Sequence, residues 1–352
     1  MSEGSRTERR SRSRDVGAPH STGLHLLVTL PALNEEETVS QVIERIPRKI
    51  PGVDTIEVLV VDDGSVDRTA EEAERVGARV IRHPSTRGVG AAFHSAVSYG
   101  LDHGADLIVS LDADGQFDSA DIPRLIAPVV TGQADFATAS RFKDPALIPE
   151  MPWIKLWGNR FMSHLISRLT AQKFYDVSCG MRCYHRRAAL QLYLLAPFTY
   201  TQEVFLNLAS RHVRIVEVPV RVRGEREFGR SRVAPSLWRY AFRTSVIIVR
   251  SYRDYWPLHF FGSIAFGLFV AATGLGTFFL AHYARTGHFR PHTWAAVSAG
   301  ASFGLAVLMF HIGLIGDMLN RHRIYLEELL YRQREGQRSP RDAPERAGEL
   351  WR

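Results

Sequence analysis

Two aspartates one residue apart, Asp112 and Asp114 in VSLDADGQF, follow a run of strand-forming residues. In an extended segment residues i and i+2 share a face, so the pair would hold two negative charges close together at a strand end and call for a cation between them. Their hard oxygens suit Mg2+ or Mn2+, which keep waters and bridge to substrate phosphates. Gln116 could add an amide oxygen or order a metal-bound water. A competing reading makes Asp112 a helix cap and leaves Asp114 solvated. A second acidic pair, Asp62 and Asp63 in VVDDGSVD, favours the cation, because like charge crowded at two strand ends is relieved by one.

The elements that must position these groups are legible between residues 24 and 140. Apolar strand-like runs (LHLLVTLPA, TIEVLVVDD, ARVIRH, DLIVSLDAD and ADFATAS) alternate with amphipathic helical runs, the pattern of an α/β domain whose mostly parallel sheet is covered by helices. Asn34 with Glu37 predicts one helix start, and Asp67 before RTAEEAERV predicts another. Asp63-Gly64 reads as a strand-to-helix turn. In such sheets ligands gather beyond the carboxyl ends of the strands, where this chain places PALNEE, DDGSVD, RHPSTRG, DADGQ and SRF. Residues 150–235 add mixed helices, a strand VRIVEVPVRVR and a loop rich in glycine and arginine.

Other chemistries find no support. LPALNEEE stands where a dinucleotide fold needs G-x-G-x-x-G, RGVGAAF lacks a third glycine, and no Walker loop occurs. No Ser-His-Asp or Cys-His grouping stands out, and no histidine has the spacing of H-E-x-x-H. Cys179 and Cys183 lack the partners of a zinc site and are read as reduced thiols.

Residues 258–281 and 291–316 contain no Asp, Glu, Lys or Arg, and each run is long enough to cross a bilayer, which takes about 20 apolar residues. The short link HYARTGHFR predicts a helical hairpin. Arg239, Arg243, Arg250 and Arg253 before it, with Arg321 and Arg323 after it, outweigh Arg285 and Arg290 in the link and place both termini in the cytoplasm. The net charge of +7 is uneven: nine arginines fall between Arg221 and Arg253 against Glu225 and Glu227. An anionic partner belongs there. If SLWRYAFRTSVIIVRSYRDYW is helical, Arg239, Arg243, Arg250 and Arg253 fall within an arc of roughly 80°, which predicts an amphipathic helix lying on the cytoplasmic leaflet. Gly300 and Gly304 in GASFG fit close helix packing, within the hairpin or between copies in a homo-oligomer. The arginine-rich opening MSEGSRTERRSRSRD has no apolar run after its charges and reads as a disordered arm. The expected division is an arm at 1–22, a catalytic domain at 23–235, a juxtamembrane helix at 236–256, a transmembrane hairpin at 257–318 and a cytoplasmic tail at 319–352.

Six motifs in order resemble family 2 glycosyltransferases of the polyprenyl-phosphate type, similar to dolichyl-phosphate mannose synthases. LPALNEEE and VVDDGSVDRT resemble the first two nucleotide-contacting strand ends, and DADGQ the D-x-D metal motif. ASRF resembles the G-S-R segment, DVSCGMRCY the D-x-x-x-G-x-R segment and REFGRSR the R-x-x-G-x-S-K loop. The resemblance runs from about Leu24 through the hairpin. It implies a GT-A fold, a nucleoside diphosphate sugar donor (GDP-mannose or a UDP-hexose), a polyprenyl phosphate acceptor and inversion at the anomeric carbon.

Carried across, Pro31, Ala32, Glu35 and Asp63 would contact the nucleoside with Asp62 nearby, and Asp112, Asp114 and Gln116 would serve metal and diphosphate. Arg141, Arg226, Ser231 and Arg232 would meet the acceptor phosphate or the sugar, and Glu203 stands where the family often has an acid near the donor sugar. The chain departs from the pattern at Leu33 and at Thr86-Arg87-Gly88-Val89-Gly90, positions that bear on base and sugar, and at Ala139. Arg232 replaces a lysine, keeping charge while changing its geometry. A phosphate monoester is largely dianionic near neutral pH, its second pKa being about 6, so this reaction needs no strong general base. A glycan or protein acceptor would need one, and Glu203 would then be essential. A catalytically silent membrane scaffold would not keep Asp112, Asp114, Arg226 and Arg232 together. A nucleic-acid partner is disfavoured because the arginines cluster beside apolar spans.

Overall fold

A computed structural model of the protein describes residues 23–192, 201–223 and 237–336. The expected arm, the loop carrying Arg226, Ser231 and Arg232, and the tail beyond 336 lie outside these residues.

Residues 24–219 build a seven-stranded sheet in the order β3-β2-β1-β4-β6-β5-β7. β1 (Leu24–Ala32), β2 (Val53–Asp62), β3 (Arg79–Arg82) and β4 (Leu107–Ser110) are parallel neighbours. β5 (Phe136–Ser140) and β7 (Ile215–Pro219) pair in parallel, and β6 (Arg182–His185) runs antiparallel between β4 and β5. Buried β-branched and leucine side chains fill both faces of the central strands, as a sheet covered on both sides requires. On one face pack α1 (Val39–Glu44) and α4 (Ile122–Val130); on the other, α3 (Val89–Asp102) and α7 (Thr201–Ser210). α2 (Thr69–Arg75), α5 (Trp153–Thr170) and α6 (Arg186–Leu190) complete the layer of helices.

Three local features depart from the sequence pattern. The strand expected through DLIVSLDAD ends at Ser110, and Ala113 and Asp114 form a turn beyond it. Asp112 and Asp114 therefore sit in a turn beyond the strand rather than at alternating strand positions. Asn34 does not start a helix: it holds φ +48° and its side chain accepts a hydrogen bond from the Val66 amide at 2.9 Å, while α1 begins at Val39. β6 gives no alternation signal, because its four residues, RCYH, are too few to show a period.

α8 (Leu237–Tyr255) leads into α9 (Pro257–Thr286) and α10 (Thr293–Gly336), which pack against each other as an antiparallel hairpin. Both are long and apolar enough to cross a membrane, and few of their residues are buried by protein. The close approach lies at Gly313 and Gly316, where a Cβ would stand 3.2 Å from Phe261 and 2.8 Å from Pro257. Gly300 and Gly304 do not serve it, since a Cβ at either would meet nothing within 4 Å. On α8, Arg250 and Arg253 are exposed while Ile248, Ser251 and Tyr255 are buried, as an amphipathic helix demands.

The expected tail from 319 continues as helix to Gly336 and packs back against Tyr255 of α8 and Arg211. Glu327 pairs with Arg211, just beyond α7, and lies 3.6 Å from Arg323 Nε. The Arg323 guanidinium sits 4.6 Å over the Tyr255 ring, whose hydroxyl accepts a 2.7 Å hydrogen bond from Asn207 Nδ2. α7, α8 and α10 are thereby joined at one buried polar cluster. Glu327→Ala would take away the carboxylate that faces both Arg211 and Arg323 in a poorly hydrated place and is expected to cost about 2–4 kcal/mol. The loss is read as a lower midpoint of thermal unfolding in detergent.

Candidate active site

The carboxyl ends of β1, β2 and β4 meet at one edge of the sheet. Pro31 and Ala32 close β1 in register with Val61 and Asp62, and the Asp63 amide donates to the Ala32 carbonyl at 2.9 Å. Glu35 is half-buried; its amide donates to Thr69 Oγ1 at 2.8 Å and its carbonyl accepts from the Val39 amide at 2.9 Å, so its backbone sets the start of α1.

Asp62 and Asp63 are buried and do different work. Asp62 accepts from the Ser65 amide at 2.8 Å and from Arg82 Nε at 2.9 Å. Burial works to raise its carboxyl, but the bonds from Ser65 and Arg82 outweigh it and hold it below the ordinary carboxylate range. Asp63 turns the other way: it accepts from the Arg87 and Gly88 amides at 3.0 and 2.7 Å and lies 2.7 Å from His83 Nδ1. Asp63, expected as a nucleoside contact, also anchors the RHPSTRG loop and the start of α3.

Asp112 and Asp114 lie beyond β4, and the turn that carries them is tied in three places. Thr38 Oγ1 donates to the Ala113 carbonyl at 2.7 Å, the Gln116 amide donates to Asp114 Oδ1 at 3.1 Å, and the Gln116 carbonyl accepts from the Arg223 amide at 3.0 Å. Asp114 is only 3% exposed. Gly180 backs Asp112 so closely that a Cβ there would lie 2.3 Å from Asp112 Oδ2. Among the described residues no group of three His, Cys, Asp or Glu forms a ligand set. Two hard carboxylates on a fixed turn fit a cation that takes its remaining ligands from water and a diphosphate, the habit of Mg2+ and Mn2+.

Arg141, after β5, pairs with Asp176 through Nε at 2.7 Å and Nη2 at 2.8 Å, and Nη2 also donates to Ser178 Oγ at 2.8 Å. Burial would weaken the charged guanidinium; Asp176, then Cys179 and Asp112, outweigh it and raise its pKa. Arg141, expected to meet the acceptor phosphate, has its Nε and Nη2 donors committed to Asp176 and Ser178. Asp176 is in turn held by Glu217, whose carboxylate accepts from the Tyr175 and Asp176 amides at 3.0 and 2.7 Å. Burial raises the Glu217 pKa despite those bonds. Asp176, Ser178, Glu217 and His83 do not stand out singly in the sequence; DVSCGMRCY marks the first two as part of a motif, while a lone acid in IVEVP gives no signal. Glu203 is buried in the first turn of α7, and Arg182 of β6 packs 5.2 Å over the neighbouring Phe205 ring. Cys179 and Cys183 are free and buried, and burial pushes the Cys179 thiol up to about 12.

The sequence pattern of glycosyl transferase family 2 matches residues 27–192, the span holding every strand end above except that of β7. An uncharacterised glycosyltransferase of Mycobacterium tuberculosis is 34% identical over 232 residues, covering 66% of this chain and 96% of that protein. The chain belongs to glycosyl transferase family 2. A polyprenol monophosphomannose synthase of Mycolicibacterium smegmatis is 30% identical to this transferase over 220 residues, 60% of this chain and 81% of that one. Among solved structures, glucosyl-3-phosphoglycerate synthase of M. tuberculosis superposes with a TM-score of 0.53 at 21% identity, over 65% of this chain and 80% of that one. The transferase therefore has the GT-A fold.

Two outcomes test this geometry. In Gly180→Ala the obstructing atom ends a movable side chain, so the protein folds with a nearly unchanged melting temperature while Asp112 is displaced; sugar transfer falls about tenfold or more. Asp62→Asn loses charge-assisted bonds worth about 1.5–3 kcal/mol at neutral pH. A depressed carboxyl stabilises above its unfolded pKa and loses that effect as pH falls through the folded value, so the gap between Asp62→Asn and the parent closes as pH drops below about 4. Unfolding midpoints across pH read this directly.

Proposed function

We propose that the chain is a membrane-anchored, inverting glycosyltransferase that moves a sugar from a nucleoside diphosphate sugar, GDP-mannose or a UDP-hexose, to polyprenyl phosphate. The observation that carries this reading is the junction of the Asp112–Asp114 turn with the segment entering the arginine-rich loop. Phe117 bridges Val222 and the Gln116 carbonyl accepts from Arg223, so the stretch leading to Arg226, Ser231 and Arg232 departs from beside the two carboxylates. Similarity to the polyprenol monophosphomannose synthase supports the acceptor, and the solved neighbour, crystallised with Mn2+ and UDP-glucose, supports the donor and the cation.

Asp112 and Asp114 would hold the cation, with Gln116 beside them, and the cation would supply positive charge for the departing diphosphate. The chain's own residues do the positioning. Asp63 and His83 fix the loop that walls the nucleotide side, and the Arg141–Asp176 pair fixes the edge next to Asp112. Arg226 and Arg232 grip the acceptor phosphate, whose oxygen is already anionic, and hold it in line with the anomeric carbon. Burial of Glu203 suits a sugar-positioning carboxylate better than a base exchanging protons with water. The apolar hairpin spans the membrane, and its arginine-rich flanks keep the catalytic domain and both termini on the cytoplasmic side.

Membranes containing the protein, given a panel of GDP- and UDP-sugars with polyprenyl phosphate, are expected to form one lipid-linked monosaccharide that a divalent-metal chelator abolishes. Arg226→Ala is expected to lower its formation by about 100-fold, the scale of one lost charge-stabilising donor. Unchanged turnover in that variant, or transfer to a water-soluble glycan without any lipid phosphate, would refute the acceptor assignment.

A further inference from the structure

α7 is buried from Gln202 to Ala209, yet polar residues line one of its faces. Glu203, Asn207 and Arg211 share an arc of about 80° at 100° per residue. Phe205, on the opposite face, meets the rings of Phe136 in β5 and Phe174 edge-on at 5.8 and 4.9 Å, so the apolar side of α7 rests on the sheet. α10 presents a matching polar row beyond its uncharged run, where Asn320, Arg323 and Glu327 share an arc of about 60°.

Tyr255 of α8 is touched by both rows. Its hydroxyl accepts from Asn207 Nδ2 at 2.7 Å, its carbonyl accepts from Asn320 Nδ2 at 3.2 Å, and Arg323 lies 4.6 Å over its ring. Glu327 joins the rows directly through Arg211. Burial raises the Tyr255 pKa, the bond from Asn207 lowers it, and the charges of Glu203, Arg323 and Arg211 all act on it, which places Glu203 in the same cluster.

Such a seam is costly. Glu203, Asn207 and Glu327 are 4%, 0% and 7% exposed, and Asn207 Oδ1 and Asn320 Oδ1 are buried with no hydrogen-bond partner among the described residues. Apolar side chains of similar volume would hold these helices together at less cost. What directional polar contacts add is register: they fix the rotation and height of one helix against another.

We propose that Tyr255, Asn320, Arg323 and Glu327 are positioning residues, which fix α7 so that Glu203 meets the donor sugar. The inference rests on the reading of Glu203 as a sugar-positioning carboxylate. α10 runs unbroken from Thr293 to Gly336, so the hairpin serves the transfer step as well as anchoring the chain.

The test uses the full chain in vesicles with polyprenyl phosphate and the GDP- or UDP-sugar that supports transfer, below the lowest unfolding midpoint of the variants. Glu327→Gln keeps the side chain's shape and removes the charge facing Arg211 and Arg323; Tyr255→Phe removes one hydroxyl and carries the same comparison if Glu327→Gln does not fold. Each is made alone and together with Glu203→Gln. A misplaced positioning group acts on the transition state, so kcat is expected to fall about tenfold in Glu327→Gln and several-fold in Tyr255→Phe, with the KM for the nucleotide sugar changed less than about twofold. In the Glu203→Gln background neither change lowers kcat further, although the unfolding midpoint drops as much as before. Unchanged kcat in both single variants, or the same fold-loss in both backgrounds, overturns the inference and leaves the transferase reading intact. Unchanged kcat in Glu203→Gln alone refutes the role of that acid, and the inference falls with it.

Discussion

The buried ion pair between Arg141 and Asp176 is the contact on which the reacting edge of the sheet depends. Taking both charges out of water is costly, and the cost is offset only because both Asp176 oxygens and most of the donors are engaged. Asp176 receives Arg141 on both oxygens, Glu217 of β7 holds the Asp176 amide, and Ser178 carries the contact on to Asn159 of α5. One pair therefore ties β5, β7, α5 and the segment before β6 to the neighbourhood of Asp112. Its fixed geometry also keeps a guanidinium within electrostatic reach of Asp112, which offsets part of the like charge crowded at that edge.

The same edge shows how similar carboxylates take different roles through their surroundings. Asp62 is spent on Arg82 and Ser65, and Asp63 on the backbone of the RHPSTRG loop, so both fix the edge of the sheet beyond β2. Asp112 and Asp114 sit on a turn stitched to the start of α1 by Thr38 and to the stretch after β7 by Arg223. That turn gives them a fixed spacing independent of strand pleat. The segment ending at Arg223 leaves from the same seam, held to the turn by its backbone hydrogen bond to Gln116.

Away from the site, the hairpin and the catalytic domain are joined by more than one covalent linker. α10 outlasts its apolar run and returns Glu327 and Arg323 to the base of α7, while α7 packs against α8, the helix that leads into α9. Glu203 lies in the first turn of α7 and Asn207 one turn later, so the helix that carries this buried acid is also the helix clamped by the extension of α10.

Local chemistry was enough for much of this. Strand-length apolar runs in β1, β2 and β5, the uncharged spans and the basic arc of α8 are set by short-range periodicity, which does not depend on distant partners. The motifs DADGQ, VVDDGSVDRT and DVSCGMRCY likewise marked where charge would gather. Tertiary structure decided what those charges do. That Asp63 faces a loop rather than open space, that Gly180 backs Asp112, that Arg141 is half committed to Asp176, and that Gly313 and Gly316 rather than Gly300 and Gly304 bring the two long helices together all depend on residues far apart in the chain. Hydrogen bonds and close approaches of that kind arise only when the sheet has closed, because composition and spacing carry no record of which strand lies next to which.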